Sequence, residues 1–494
     1  MKIKIRPTSY NILFIISAIL ITIGILFTKP QVGVADQGDF DRVMSISGLT
    51  LLDSDSSNPN FSRFYKYIIT DYKIIPLDDL SDTITGCSLS YLIVLINCIS
   101  KLMGVTIFKT HYLATVYSII YILSFSIILK SLNIKNSFKF LLIALLILFV
   151  FFDGNYLIWF NSLYGEPMML TTLLLFISSV LNYINYKYVM RKTEHITLKV
   201  VYILISSFLF LGSKLQVLTA LPFVVCFLIK IVWDNKYYLN KINKAFLCIF
   251  IYLVIVYPIG VSTNCSNLCK DTEYNSVFYG ILNDSKTPEQ DLIDLGLNPD
   301  MAVDAGKHAY LDVDEYVKYF PRDEATYSEF YDKISNLKLA EFYLRHPNRL
   351  FSGMKYTVSK AFYTSTSLGK YSQSDNQAST SEFHKFTLWS YIRENFFPRS
   401  LLFIILIYLS VILFSFYKYI KNKSNLETKN KIFLLWTIIL ISIAQFPMPF
   451  IGNGRADTAK QLFLFNSIFD GLIFLICIYI FFKIIDTVKF RLQK

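Results

Sequence analysis

The chain has 494 residues, of which 54% are hydrophobic and 17% charged, with a mean hydropathy of +0.45. Apolar runs of this length exclude an ordinary soluble domain, so lipid is the solvent that shapes the fold. The formal charge of +12 sits largely in lysines between apolar runs, the pattern of cytoplasmic loops and not of a groove for nucleic acid.

The first apolar run, Asn11 to Phe27, follows a basic start (Lys2, Lys4, Arg6). No Ala-x-Ala type cleavage site follows it, so it reads as a retained signal-anchor helix. Five further lysine-rich segments are expected inside: Lys130/Lys135/Lys139, Lys187/Arg191/Lys192/Lys199, Lys230/Lys236/Lys241/Lys244, Lys418/Lys421/Lys423/Lys429/Lys431, and a tail with Lys483, Lys489, Arg491 and Lys494. The chain must cross twice between consecutive inside segments. That predicts ten spans, near residues 10–28, 107–130, 137–152, 167–185, 199–213, 215–231, 245–262, 399–419, 431–450 and 462–484, since a span needs roughly 20 apolar residues. The run from Lys199 to Lys230 is too long for one helix and is expected to fold at Gly212-Ser213-Lys214. Leu89 to Met103 is left over. If it spanned, every later loop would invert, so it is placed as a re-entrant or interfacial helix on the outer face.

The expected fold is therefore an all-α integral membrane bundle of about ten transmembrane helices. Its membrane parts are residues 1–262, with seven helices and an outer loop 29–85, and 399–494, with three helices; residues 263–398 form a mainly helical extracytoplasmic domain. Both termini are expected in the cytoplasm. Loop 29–85 carries nine acidic residues against five basic, the reverse of the inside loops. Within the outer domain, Lys338 to Tyr363 has apolar residues at helical spacing interrupted at His346-Pro347. Because proline can begin a helix but not sit deep inside one, this predicts two amphipathic helices that could rest on the membrane surface. Of seven cysteines, only Cys265 and Cys269 share a polar segment. They could form a disulfide if that segment is outside, and no spacing makes a convincing zinc site.

Four outer segments carry candidate chemistry. Asp36-Gln37-Gly38-Asp39-Phe40-Asp41-Arg42 brings three carboxylates and an arginine together, with Gly38 free to turn the backbone. Such carboxylates can serve as a general base or hold a divalent cation, or be only a solvated acidic loop. Phe160-Asn161-Ser162-Leu163-Tyr164-Gly165-Glu166-Pro167 precedes an apolar run, where Pro167 and Glu166 also suit a plain helix start. At the tip Gly212-Ser213-Lys214-Leu215-Gln216, Lys214 is the only charge and could simply snorkel to headgroups. In Gly452-Asn453-Gly454-Arg455-Ala456-Asp457-Thr458-Ala459-Lys460-Gln461, Arg455 and Lys460 could hold a phosphate, or Asp457 and Lys460 could pair one turn apart. The topology, drawn from other lysines, puts all four on one side.

Gly38-Asp39-Phe40-x-Arg42, Asn161-Ser162-x-Tyr164-Gly165-Glu166-Pro167, Ser213-Lys214-x-Gln216 and Ala456-Asp457-x-x-Lys460-Gln461-Leu462-Phe463-Leu464-Phe465-Asn466 resemble the WsfD-type glycan-biosynthesis hexosyltransferases of bacteria. So do Asn275-Ser276-Val277-Phe278-Tyr279-Gly280-Ile281-Leu282, Leu295-Gly296-Leu297 and Ala305-Gly306-Lys307. That family looks like a branch of the GT-C glycosyltransferases, which implies a GT-C-like fold and sugar transfer from a polyprenyl-phosphate carrier on the extracytoplasmic face. The resemblance implies a first-loop acid as base or metal ligand, with the choice between Asp36 and Asp39 open. The expected enzyme is an inverting hexosyltransferase of the cell membrane acting on a cell-surface or cell-wall glycan. Asp39, Asp36 and Glu166 would be catalytic, Arg42, Lys214, Arg455 and Lys460 would hold the donor phosphate, and Tyr164, Gln216 and Asp457 would support them. Dependence on Mg or Mn stays open. The competing class is a transporter or flippase of a lipid-linked glycan, which would put ionisable groups or broken helices at mid-membrane.

Overall fold

The computed structural model describes residues 7–58, 61–77, 79–264, 269–375 and 378–492. Lys2, Lys4, Arg6, Cys265 and Lys494 lie outside them, and so does the Cys265–Cys269 pairing. Among the described residues, eight helices are long and apolar enough to cross a membrane: Ser9–Leu26, Thr110–Ser131, Glu166–Val189, Leu215–Asp234, Lys241–Asn264, Leu401–Lys421, Leu426–Asn453 and Phe463–Val488. Helices prevail because the hydrocarbon leaves backbone groups no partner but their own chain.

The two other expected spans take different forms. Ser137–Phe151 continues into Gly154–Phe160 after a 58° bend, and this pair together has the length and composition of a ninth span. The tenth is a shorter apolar helix, Ile196–Leu211. It carries the chain back along its predecessor: the ammonium of Lys199 lies over the Tyr186 ring at one end, and Ser213 meets Gly165 at the other. The turn after Leu211 falls at Gly212-Ser213-Lys214, as the apolar run requires.

Side-chain contacts divide the bundle into two ends. At one, the lysine-rich connections meet each other: Lys187 donates to Asn235 Oδ1 at 2.7 Å, Lys230 to Asn430 Oδ1 at 2.6 Å, and Lys139 to Asp486 Oδ1 at 2.7 Å. At the other end lie the first loop, the segment before Pro167, the tip at Lys214 and the loop before the last span.

The left-over apolar run forms one unbroken helix, Ser88–Leu102, that does not turn back on itself. Leu89, Ile93, Ile96 and Asn97 face the protein, and Leu95, Ile99 and Leu102 face out. Its start is fixed to the hairpin tip by Ser88 N donating to Gly212 O at 2.7 Å. In the outer region, Asn336–Arg345 and Pro347–Lys360 are the two expected helices, with Pro347 in the first turn of the second. The second packs Gly353 against the Phe450 ring.

The all-α expectation needs one correction. The first loop and the residues before Thr110 build a small antiparallel sheet in the order β1 (Leu49–Thr50), β2 (Asp71–Ile74), β3 (Ile107–Lys109). Leu49 pairs with Ile74 and Tyr72 with Phe108. Strands of two to four residues are too short for an alternation to stand out in sequence.

The outer region is tied to the bundle by a buried charge pair. Arg393, in the helix Leu388–Phe396, and Asp470, in the last span, meet at 2.6 Å with neither side chain exposed. Arg393 also donates to Phe362 O at 2.9 Å and to Thr364, while Asp470 accepts from Tyr156 at 2.7 Å and Trp389 at 2.8 Å. A buried pair is dear to break from one side because the remaining charge has no water. Arg393→Ala is therefore expected to cost about 3–5 kcal/mol, seen as a lower melting temperature in detergent. Arg393→Met with Asp470→Leu should recover much of it, and an unchanged melting temperature in Arg393→Ala would show that the pair does not fasten the outer region.

Candidate functional site

The first loop turns at once after the first span. Asn161 holds that turn, its Nδ2 donating to Leu26 O at 3.1 Å and Val32 O at 3.0 Å. Tyr164 holds the next stretch: its hydroxyl donates to Ala35 O at 2.9 Å and accepts from Gln37 N at 3.1 Å. The segment before Pro167 thus acts as a bracket on which the acidic loop is built. Gly38 makes the turn at φ +110°, where an L side chain is strained.

The two first-loop acids differ in kind. Asp36 is fully buried; its Oδ1 accepts from Gly38 N at 2.7 Å and Phe40 N at 3.2 Å, and Arg63 Nε lies 3.7 Å from Oδ2. Burial, aided by the charge of Asp39, raises its pKa against the pull of these backbone bonds and of Arg63. Asp36 therefore shapes the loop. Asp39 stands at the start of the helix Phe40–Ser47 with 35% of its side chain exposed, and its Oδ2 accepts from Lys460 Nζ at 2.6 Å. Burial would raise its pKa, but Lys460, Lys214 and Arg42 outweigh that and hold it well below the ordinary 3.8.

A second pair lies beside the first. Glu166 begins its helix with Pro167 in the first turn, is fully buried, and accepts from Lys214 Nζ at 2.5 Å. Among the described residues, its Oε2 has no hydrogen-bond partner. Lys214 is thus an ion-pair partner and not only a headgroup anchor. Lys460, 7% exposed, lies 5.1 Å from the centre of the Tyr164 ring and 3.9 Å from Asp457 Oδ2. Burial lowers the Lys460 pKa, but Asp39, Asp457 and Glu166 more than reverse this, and the net shift is upward.

The remaining candidates support the ring or stand apart from it. Asp457, at φ 51°, accepts from Gln37 Nε2 at 2.9 Å. Gln216 donates to Gln445 Oε1 at 3.0 Å and Gln461 O at 3.2 Å, pinning the tip to the segment that carries Lys460. Arg42 is exposed and acts on Asp39 through its charge. Arg455 faces the outer region instead, pairing with Asp284 at 2.7 Å and stacking over Tyr356 at 4.9 Å. Gln37 and Arg63 were missed in sequence. Gln37 lies between Asp36 and Gly38, in the acidic segment itself, but nothing in Arg63's neighbourhood marks it.

Asp39 and Glu166 each already carry an ammonium, and among the described residues no three His, Cys, Asp or Glu side chains are grouped to hold a metal. Two carboxylates, each answered by a lysine, make a site that can exchange one anion for another. A hollow of about 500 Å³ near Phe149, Phe386 and Trp389 contains none of these residues.

The chain matches, over residues 1–494, the family model described as the YfdI N-terminal transmembrane domain. It belongs to that family. No curated protein and no solved structure matches it. Membership covers the whole chain, bundle and outer region alike, and agrees with the helical, multi-pass architecture.

The paired charges give the site a pH signature. A carboxyl with a depressed folded pKa contributes stability above its unfolded value, lost as pH falls through the folded value; an ammonium with a raised one contributes below its unfolded value, lost as pH rises through the folded one. With unfolded values of 3.8 and 10.5, the Asp39–Lys460 pair persists throughout the neutral range. Lys460→Met leaves Asp39 enclosed with less positive charge, so its melting-temperature deficit against the unmodified protein should be larger at pH 7.5 than at pH 4.5. Adding Asp39→Asn should remove that difference; a deficit independent of pH would mean that the ammonium does not set the state of Asp39.

Proposed function

We propose that the chain is a membrane hexosyltransferase of GT-C-like type, in keeping with its resemblance to the WsfD-type enzymes. It would take a hexose from a polyprenyl-phosphate carrier and pass it to a cell-surface or cell-wall glycan. The observation that carries this reading is the pair of lysine–carboxylate contacts, Lys460 with Asp39 and Lys214 with Glu166, at the end of the bundle opposite the lysine-rich connections. The positive-inside rule supports an extracytoplasmic site and cytoplasmic termini.

The lysines would hold the donor phosphate, since charge-assisted bonds to ammonium groups suit a phosphomonoester or diester. A phosphate entering the cluster competes with Asp39 for Lys460. As the ammonium turns toward it, Asp39 loses the charge that suppresses its basicity and becomes available to the acceptor hydroxyl. In a single displacement, the acceptor oxygen bonds to C1 and the C1–O bond to phosphate breaks, its electron pair leaving with the phosphate. The hydroxyl proton goes to Asp39, and the anomeric configuration inverts. Asp36 positions the loop and Glu166 positions Lys214. Arg455 is left out of the phosphate site because its partners are Asp284 and Tyr356.

Purified full-length protein given labelled polyprenyl-phosphate hexoses and surface glycan should move label to the glycan. Asp39→Asn should lower kcat by about 10² to 10⁴, the usual worth of a general base. Lys214→Ala should raise the donor KM roughly tenfold to a hundredfold, the worth of one hydrogen bond to a charged group. Carrier flux across vesicles without transfer would favour a flippase and overturn the transferase reading.

A further inference from the structure

Among the motifs unused by the chemistry above, Asn275 to Leu282 and Ala305-Gly306-Lys307 are brought to one place by the structure. Asn275 is the clamp. Its Nδ2 donates to Asn453 Oδ1 at 2.9 Å, and its Oδ1 accepts from Ala309 N at 2.7 Å. Gly454, at φ +58°, passes so close that a Cβ would lie 2.2 Å from Asn275 O. Gly306 N donates to Phe278 O at 2.8 Å, and Tyr316 OH to His308 O at 2.6 Å. The loop around His308 is thus fastened to the loop that carries Asp457 and Lys460.

Three rings line up on this clamp. Tyr279 and His308 meet edge to face with centroids 5.3 Å apart, and His308 and Tyr310 are 6.0 Å apart. Tyr279 and His308 are half-buried and Tyr310 is 53% exposed. His308 Nδ1 accepts from Tyr310 N at 3.2 Å, which assigns the ring proton to Nε2. Burial raises the Tyr310 pKa, as do the charges of Asp457, Asp271 and Asp39. Rings fastened beside the loop that carries Asp457 combine apolar ring faces with carboxylate acceptors, which complement the C–H face and the hydroxyls of a pyranose.

We propose that Tyr279, His308 and Tyr310 form the acceptor-sugar subsite, where a hexose of the glycan stacks with its hydroxyls directed to Asp457 and Asp39. This rests on the transferase reading above. The acceptor is assigned here, and not the donor, because the rings belong to the outer region while the ammonium groups occupy the bundle end. His308 Nε2–H supplies a further donor to a sugar oxygen.

The test measures transfer from labelled polyprenyl-phosphate hexoses to the surface glycan by full-length protein, varying donor and glycan separately. Tyr310→Ala and Tyr279→Ala should each raise the glycan KM about threefold to tenfold, the scale of one aromatic contact. The donor KM should stay within twofold of the unmodified value, and Tyr310→Phe should keep the glycan KM. A glycan KM unchanged by both alanine variants overturns the subsite while transfer itself stands. A donor KM raised in step with the glycan KM also overturns it, since a general disturbance of the site would then account for the effect. If the unmodified protein moves no label to glycan from any hexose donor, both readings fall.

Discussion

The ion pair between Asp39 and Lys460 is the constraint on which the outer end of the bundle depends. It joins residues 421 positions apart, and it gives the buried Lys460 ammonium a charged partner. Everything adjacent serves to hold it: Asp36 ties the turn before the helix Phe40–Ser47, Tyr164 and Gln37 fix the approach, and Gln216 fixes the segment carrying Lys460. Glu166 and Lys214 repeat the arrangement alongside. On the proposed reading, pairing carboxylates with lysines instead of fixed dipoles would let the site change partners, because an ammonium sits on a flexible stem.

The outer region is built by a different rule. Its core of Tyr274, Phe278, Phe330 and Phe342 packs against Phe450 of the span Leu426–Asn453, Phe362 packs with Phe465 and Phe469 of the last span, and buried polar contacts add to this attachment. Arg393 with Asp470 is one, and Ser390 N donating to Asp153 Oδ2 at 2.9 Å is another. Polar fastening of this sort fixes register as well as attachment, since a shift of either partner strands a charge. The loop around His308 inherits that fixed position through Asn275.

The spans were legible because lipid demands long apolar helices and lysine-poor crossings. Even the hairpin at Gly212 and the helix start at Pro347 followed from chain length and proline geometry. The short sheet was not, since pairing Tyr72 with Phe108 depends on residues far apart in sequence. The same limit applied at the site. Sequence put Asp39, Glu166, Lys214 and Lys460 on one side, but which acid takes which lysine is a tertiary fact. The sequence does not distinguish the burial of Asp36 from the part-exposure of Asp39, nor does it show that Arg455 pairs with Asp284 and stacks over Tyr356. The Asn275 and Gly306 motifs had no chemistry of their own to announce, because what they contribute is a clamp.

The central claim is that the two lysines exchange their carboxylates for a phosphate. A structure of the full chain determined with polyprenyl-phosphate tests it most directly. The account predicts phosphate oxygens within hydrogen-bond distance of both Lys460 Nζ and Lys214 Nζ, with the Asp39–Lys460 contact lengthened from 2.6 Å. Phosphate bound elsewhere, with both lysine–carboxylate pairs unchanged, would contradict it.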